Sequence, residues 1–205
     1  MLLVTGWPGV GKTTVVSAVA ERLRARGARV DGFVTLERRD VVTGARAGFD
    51  AVGLDGRSRA RLAIAKARGE DAASAPRVGK YAVDVESFES IALTIIEGCH
   101  DVDVLVVDEI GKMELLSPRF ERAMREWLLP EDEATARQRR PILLCTVAKK
   151  GEGLIARAKA RAAARGSLVD VTVANRDSLV EDIAARVASL KSRGAALTFS
   201  AAASE

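Results

Sequence analysis

Residues that usually build metal centres and disulfides are scarce in this chain. The sequence contains one histidine, His100, and two cysteines, Cys99 and Cys145. A histidine-based metal centre or a Ser-His-Asp triad therefore lacks its residues, and His100 is expected to be an ordinary loop residue before a strand. The cysteine spacing matches no zinc or redox motif, so a disulfide framework is not expected.

Long apolar segments are absent as well. No run approaches the roughly 20 apolar residues that a membrane-spanning helix needs. A secretory signal is not expected either, because residues 1–5 already have the pattern of a strand and leave no room for a charged lead and an apolar core. The sequence therefore predicts no membrane partner and a cytoplasmic location.

The composition is otherwise that of a folded globular protein. Hydrophobic residues make up 48% of the 205 positions and charged residues 29%, which is ordinary. The net charge of +4 suits an anionic substrate such as a nucleotide but does not require nucleic acid. We expect one domain over residues 1–193, monomeric, followed by a small, polar, disordered tail over 194–205.

Short apolar runs alternate with helix-like stretches, a pattern typical of a mostly parallel sheet covered by helices. Residues 40–52, with a turn near Thr43-Gly44, predict a β-hairpin added to that sheet. Residues 53–77 are interpreted as a loop with at most one helical turn, and residues 130–140 as a charged connector. The predicted strands lie at 1–5, 30–36, 81–85, 103–109, 142–147 and 168–173, and the predicted helices at 13–26, 86–98, 117–129, 153–165 and 177–193.

A phosphate-binding loop follows the first predicted strand. Residues 6–13, Gly-Trp-Pro-Gly-Val-Gly-Lys-Thr, fit the pattern G-x-x-x-x-G-K-[ST] in full. Glycines let the backbone curl and turn its N–H groups toward phosphate oxygens, and the N-terminus of the next helix favours an anion. Lys12 is predicted to reach the β- and γ-phosphates, and the Thr13 hydroxyl to ligate Mg²⁺. The strand before the loop and the helix after it are the context that this motif requires.

Two carboxylates end a second buried strand. The apolar run Val104–Val107 delivers Asp108 and Glu109 to the carboxyl edge of the predicted sheet, where ligands of α/β sheets bind. Asp108 is predicted to hold Mg²⁺, directly or through water, because hard oxygen ligands suit that ion. Glu109 is predicted to polarise the water that attacks the γ-phosphate. The competing interpretation is a pair of helix-capping carboxylates.

With these motifs identified, the chain resembles, over about residues 2–190, the cancer-related nucleoside-triphosphatase family, first described in thermophiles and also found in animals. The resemblance implies a three-layer P-loop fold of the RecA/AAA type and slow Mg²⁺-dependent hydrolysis of ATP, GTP, CTP and UTP with little base preference. Trp7 stands where the family usually has a small residue or proline, and the 130–140 connector is longer than usual. The matching residues are Gly6 to Thr14, Asp31-Gly32-Phe33 with Thr35 and Glu37, Arg46 to Asp50, Val78 to Tyr81 with Phe88-Glu89, Asp108 to Leu115, and Asn175-Arg176.

Several further residues are weaker candidates for the same site. Lys112 is a candidate for a place beside the γ-phosphate, or is a surface lysine. Arg46 and Arg176 are candidates for a charge-stabilising arginine, with an ordinary surface arginine as the default. Asn175 either contacts the base edge or caps the last helix. The predicted nucleotide-binding set is Gly6, Trp7, Pro8, Gly9, Val10, Gly11, Lys12, Thr13, Thr14, Asn175 and Arg176.

Two other functions compete with hydrolysis. A small-molecule kinase shares the phosphate loop and usually has an arginine-rich lid, and residues 38–80 contain scattered arginines. A nucleotide-regulated nucleic-acid module would use Arg157, Arg161 and Arg165, which share one helix face, here called the basic face. Only eight aromatic residues (two Trp, one Tyr, five Phe) occur in the chain, so no stacking platform supports that function. Glu109 as a water-activating base favours hydrolysis.

Overall fold

Nine strands form one sheet in the computed structural model of the protein. The structure describes residues 1–65, 75–132 and 140–202, with 192–202 described by backbone alone. Within these ranges the strands are β1 (Leu2–Gly6), β2 (Val30–Arg39), β3 (Arg46–Gly53), β4 (Arg59–Ile64), β5 (Arg77–Val78), β6 (Tyr81–Val83), β7 (Val104–Ile110), β8 (Ile142–Ala148) and β9 (Leu168–Asp170). The α-helices are α1 (Lys12–Ala25), α2 (Val85–Gly98), α3 (Pro118–Leu128), α4 (Gly153–Ala164) and α5 (Arg176–Ala202), and 3₁₀ turns span Cys99–Asp101 and Glu114–Leu116.

The sheet is mixed, so the expectation of a mostly parallel sheet is wrong. The strand order is β5-β6-β4-β3-β2-β7-β8-β1-β9. The pairs β2-β7, β7-β8, β8-β1 and β1-β9 are parallel. The pairs β2-β3, β3-β4, β4-β6 and β5-β6 are antiparallel. The parallel half positions the phosphate loop, and the antiparallel half extends the sheet beyond β2.

Strand β4 explains most of that error. It lies in the interval 53–77 that the sequence analysis interpreted as a loop, because the interval is rich in glycine, serine, alanine and charged residues and glycine and alanine are depleted in strands. Leu62 and Ala63 are nevertheless fully buried, and the strand pairs with β3 along its length. Tertiary pairing therefore overrides local preference here. Residues 66–74 of that interval, 133–139 of the predicted connector and 203–205 of the predicted tail lie outside the described residues.

The predicted hairpin exists, but its first strand is the end of β2. Strand β2 runs to Arg39 and pairs with β3 from Phe33↔Gly53 to Arg39↔Arg46. The turn lies where the sequence placed it: the Asp40 carboxylate accepts hydrogen bonds from the Val42 and Thr43 backbone N–H groups at 3.1 and 2.8 Å. The remaining predicted elements are confirmed in place, with bounds that differ by at most three residues except at the end of α5.

Helices cover the two faces of the sheet and enclose two apolar clusters. On one face α1 and α5 pack with residues such as Val16, Leu144 and Ile183. On the other face α2 and α3 pack around the mutually contacting rings of Phe33, Phe88 and Phe120, and α4 packs on β1 and β9. This arrangement of helices, sheet and helices is an α/β fold, as expected.

Two helix ends relate to sequence predictions, the start of α3 and the end of α5. The Ser117 hydroxyl accepts a hydrogen bond from the Phe120 N–H at 2.9 Å, which confirms the predicted cap. Helix α5 continues to Ala202, past residue 193, where the sequence analysis ended the domain; that boundary stays a prediction. No helix in the described ranges is long and apolar enough to cross a membrane.

Three strand ends meet at the carboxyl edge of the parallel half. Gly6 of β1 pairs with Ala148 of β8, and Asp108 of β7 pairs with Val34 of β2. The phosphate loop and the two carboxylates therefore come together by strand register, although about 100 residues of sequence separate them.

Candidate functional site

The phosphate loop joins β1 to α1 with the backbone that its glycines permit. Gly9 and Gly11 have φ of 80° and 101°, in the left-handed region that side chains disfavour. A Cβ on Gly6 would lie 2.6 Å from the Val171 carbonyl oxygen, so glycine is required there for close packing. Helix α1 begins at Lys12 with no side-chain cap, which leaves its first N–H groups available to an anion.

Asp108 lies between two hydroxyls at this edge. Its Oδ2 accepts a hydrogen bond from Thr13 Oγ1 at 2.7 Å, and its Oδ1 accepts one from Thr146 Oγ1. The residue is fully buried, and burial raises the pKa of Asp108 while the hydrogen bonds from Thr146 and Thr13 act to lower it. The structure therefore brings together the two predicted metal-binding residues, Thr13 and Asp108.

These oxygens fit Mg²⁺ by their chemistry, since that ion prefers carboxylate and hydroxyl ligands and keeps several waters or phosphate oxygens. In the part of the chain that the structure describes, no cluster of three or more His, Cys, Asp or Glu side chains could hold a metal ion. A metal at Thr13 and Asp108 would therefore depend on the nucleotide phosphates for further ligands.

Glu109 faces the phosphate-loop lysine. Its Oε2 lies 3.1 Å from Lys12 Nζ, and Lys12 Nζ also donates to the Gly6 carbonyl at 3.4 Å. Strand β7 continues to Ile110, with an irregularity in its pairing to β8 between Val107 and Ile110, and both carboxylates face the loop.

Glu114 is a third carboxyl group at the site, which the sequence analysis quoted only as part of a motif. Its Oε2 accepts a hydrogen bond from the Gly111 N–H at 3.1 Å. A Cβ on Gly111 would lie 3.0 Å from this oxygen and 3.2 Å from Glu109 Oε1, so both carboxyl groups lie close to Gly111. Burial, assisted by the charges of Glu109 and Asp108, raises the pKa of Glu114 to about 8. The sequence feature that could have identified Glu114 is the position of a glutamate inside the otherwise apolar segment from Met113 to Leu116.

Asn175 and Arg176, the two predicted nucleotide-binding residues that follow β9, differ in their surroundings. Arg176 lies against the loop, because a Cβ on Gly11 would be 3.3 Å from its Cδ. The Asn175 amide is engaged with its own loop: Oδ1 accepts from the Thr172 N–H at 2.8 Å and Nδ2 donates to the Asp170 carbonyl at 3.0 Å. The Asn175 side chain is thus held by the backbone of its own loop, and its role in base binding stays a prediction.

Two other predicted residues lie on the surface near the site. Trp7 is 54% exposed, and Lys150 Nζ lies 5.4 Å from the centroid of its ring. Lys112 is exposed on the turn after β7, and its catalytic role stays a prediction. Arg46 pairs with Glu37 and lies over the Phe49 ring, in the antiparallel half.

The two cysteines and the single histidine have different surroundings. Both cysteines are buried free thiols, which agrees with the absence of a disulfide framework. His100 is exposed on the 3₁₀ turn after α2 and lines a groove of about 490 Å³ between α2 and α3. That groove reaches Pro141 at the start of β8, at the edge of the sheet opposite the phosphate loop.

Known proteins are similar to this chain along most of its length. The sequence profile of a family described as NTPase matches residues 1–184. The human cancer-related nucleoside-triphosphatase is 37% identical over 188 residues, covering 89% of this chain and 93% of that protein. Nucleoside-triphosphatase THEP1 of Thermofilum pendens is 36% identical over 195 residues, covering 93% and 97%.

The fold is shared as well. The solution structure of a human cancer-related nucleoside triphosphatase superimposes with a TM-score of 0.69 at 36% identity, covering 92% of this chain and 97% of that one. The family match over nine-tenths of the chain agrees with the phosphate loop and paired carboxylates described above. The chain belongs to the NTPase family, the group of nucleoside-triphosphatases that the sequence resembles.

Proposed function

We propose that the protein hydrolyses nucleoside triphosphates to the diphosphate and phosphate in a reaction that requires Mg²⁺. The observation that carries this proposal is the convergence of Asp108 and Glu109 on adjacent residues of the phosphate loop. Asp108 contacts Thr13 at 2.7 Å and Glu109 contacts Lys12 at 3.1 Å. A metal ligand and a base therefore stand side by side where the γ-phosphate would lie.

Thr13 and Asp108 would hold the metal. Mg²⁺ bound there would neutralise charge on the β- and γ-phosphates during the reaction. Thr146 orients the Asp108 carboxylate through its own hydrogen bond. The phosphate loop binds the β-phosphate through backbone N–H groups, and Arg176, on the β9 side, is positioned to add positive charge near Gly11.

Glu109 would act as the general base. A triphosphate competes with Glu109 for Lys12, because the lysine then has phosphate oxygens within reach. Glu109, released from that pair, accepts a proton from water as the water oxygen bonds to the γ-phosphorus. The bond from this phosphorus to the β–γ bridging oxygen breaks, and the diphosphate leaves. The partial exposure of Glu109, 31% of its side chain, leaves room for that water.

A weak base preference follows from the same contacts. The loop recognises only phosphates, which ATP, GTP, CTP and UTP share. The amide of Asn175, the polar group predicted to contact the base, is occupied by the Thr172 and Asp170 backbone. We therefore expect comparable rates with all four nucleotides.

The direct test measures phosphate release from each nucleotide, with Mg²⁺ and with chelator, in the presence and absence of nucleoside monophosphates and small alcohols. We expect release that needs Mg²⁺ and no added acceptor. Stoichiometric transfer to an acceptor would instead establish a kinase. Two arginines of the predicted lid already have partners, Arg46 with Glu37 and Arg59 with Asp50, which weakens the kinase alternative.

A further inference from the structure

Lys150 and Trp7 form a contact at the phosphate loop that the proposed reaction does not use. Strand β8 places Lys150 there: Ala148 pairs with Gly6, Lys150 follows two residues later, and Trp7 follows Gly6 in the loop. The ammonium group lies 5.4 Å from the Trp7 ring centroid. The ring therefore holds a lysine beside the loop by a cation–π contact.

The side of the loop on which Lys150 lies identifies the phosphate that it faces. In the sheet β1 is flanked by β8 on one side and β9 on the other. Arg176 approaches the loop from the β9 side. Lys150 approaches from the β8 side, which also supplies Thr146 to Asp108, and β8 pairs with β7, the strand that carries Glu109. Because Asp108 and Glu109 act at the outermost phosphate, Lys150 is on the side of that phosphate.

The charge on Lys150 is available, unlike that of its neighbour. Lys149 forms an ion pair with Asp170, and Lys12 is paired with Glu109. Among the residues that the structure describes, Lys150 has no carboxylate partner, and its contact is the indole face. A cation–π contact at an exposed ring is weaker than a charge-assisted hydrogen bond to phosphate, so a bound triphosphate would draw the ammonium group away from the ring.

We propose that Lys150 is a second phosphate-binding cation in this chain, kept beside the loop by Trp7 and contacting the outermost phosphate of a nucleoside triphosphate. Such a group acts in cis, within one protein molecule, to stabilise charge on the transferred phosphoryl group. A nucleoside diphosphate lacks the phosphate in question and would not engage it. The inference rests on the proposed function.

The test compares two neighbouring lysines. Affinities for Mg²⁺ with a β,γ-imido triphosphate analogue, and for Mg²⁺ with ADP, are measured by calorimetry on the unmodified protein and on Lys150→Met, Lys149→Met and Lys150→Arg. Lys150→Met is expected to weaken triphosphate binding about 10-fold or more, on the scale of a hydrogen bond to a charged group, and to leave ADP binding unchanged. Lys149→Met removes the same charge from the same loop and is expected to change neither affinity, and Lys150→Arg is expected to retain most of the triphosphate affinity.

Fluorescence reports the contact independently of affinity. The sequence contains two tryptophans, Trp7 and Trp127. In a Trp127→Phe background Trp7 is the single tryptophan, so its emission is measured alone. The triphosphate analogue should change Trp7 emission when Lys150 leaves the ring, and this change should be largely lost in Lys150→Met. Trp7→Leu should weaken triphosphate binding less than Lys150→Met does, because it removes only the group that positions the lysine.

Three outcomes are distinguishable. Equal effects of Lys150→Met and Lys149→Met would overturn the inference and leave the proposed function standing. Equal losses for triphosphate and diphosphate in Lys150→Met would also overturn it, since the lysine would then not distinguish the outermost phosphate. Failure of the unmodified protein to bind either nucleotide would overturn the proposed function itself.

Discussion

Replacing Glu114 by glutamine isolates the effect of a proton buried at the site. Glutamine has nearly the same shape and can accept the hydrogen bond from the Gly111 N–H, which spans 3.1 Å in the native protein. It cannot ionise. The variant therefore resembles the protonated form of Glu114 at every pH, and its stability should lack the pH dependence that this carboxyl group introduces.

The magnitude follows from the raised pKa. The ordinary value is 4.5, and in the folded protein burial and the charges of Glu109 and Asp108 raise it to about 8. Between these values the unfolded chain releases the proton while the folded protein keeps it, so the free energy of unfolding falls as pH rises, by about 1.4 kcal/mol per pH unit. The contribution is fully present below pH 4.5 and lost by about pH 8. From pH 5.5 to 7.5, Glu114→Gln should thus gain roughly 3 kcal/mol relative to the native protein.

Urea unfolding of both proteins at pH 5.5 and 7.5, without nucleotide or metal, measures this difference. Glu86→Gln is the matched control, because Glu86 is an exposed glutamate in the first turn of α2. Its stability relative to the native protein should differ little between the two pH values. If the native protein and Glu114→Gln show the same dependence on pH, Glu114 is not held protonated, and the argument from its burial is refuted.

Three further predictions concern the reaction and the competing nucleic-acid function. Lys12→Ala should abolish hydrolysis while the circular dichroism spectrum and the unfolding midpoint stay close to native; a folded, fully active variant would contradict the assignment of the phosphate loop. Glu109→Gln should retain nucleotide binding and lose turnover by about 100-fold or more, whereas Asp108→Asn should raise the Mg²⁺ concentration needed for half-maximal rate, as read from a Mg²⁺ titration of both. Normal turnover in Glu109→Gln would mean that another residue positions the water. The basic face of α4 should show no binding to RNA or DNA at physiological salt, and a complex that weakens steeply with salt and is lost on reversing those charges would show otherwise.

Local patterns predicted the parts of this protein that depend on neighbours in sequence. The phosphate loop could be predicted because its glycines, Lys12 and Thr13 lie within eight consecutive residues. Each of them is required by the backbone shape or by the phosphates. The Ser117 cap and the turn at Asp40 follow from similarly short-range hydrogen bonds. Strand β4 was not readable, because Leu62 and Ala63 are buried by pairing with β3 and packing against α2, which no local propensity reports.

The sequence by itself predicted a phosphate-binding loop and a strand-end pair of carboxylates, because both motifs are contiguous and their chemistry is that of the residues themselves. Only the tertiary structure decided how those groups meet. Strand register sets Asp108 between Thr13 and Thr146 and brings Lys150 to Trp7, across separations that a linear pattern does not encode. Burial, which likewise exists only once the chain is folded, is what raises the pKa of Glu114 to about 8 and makes it part of the site.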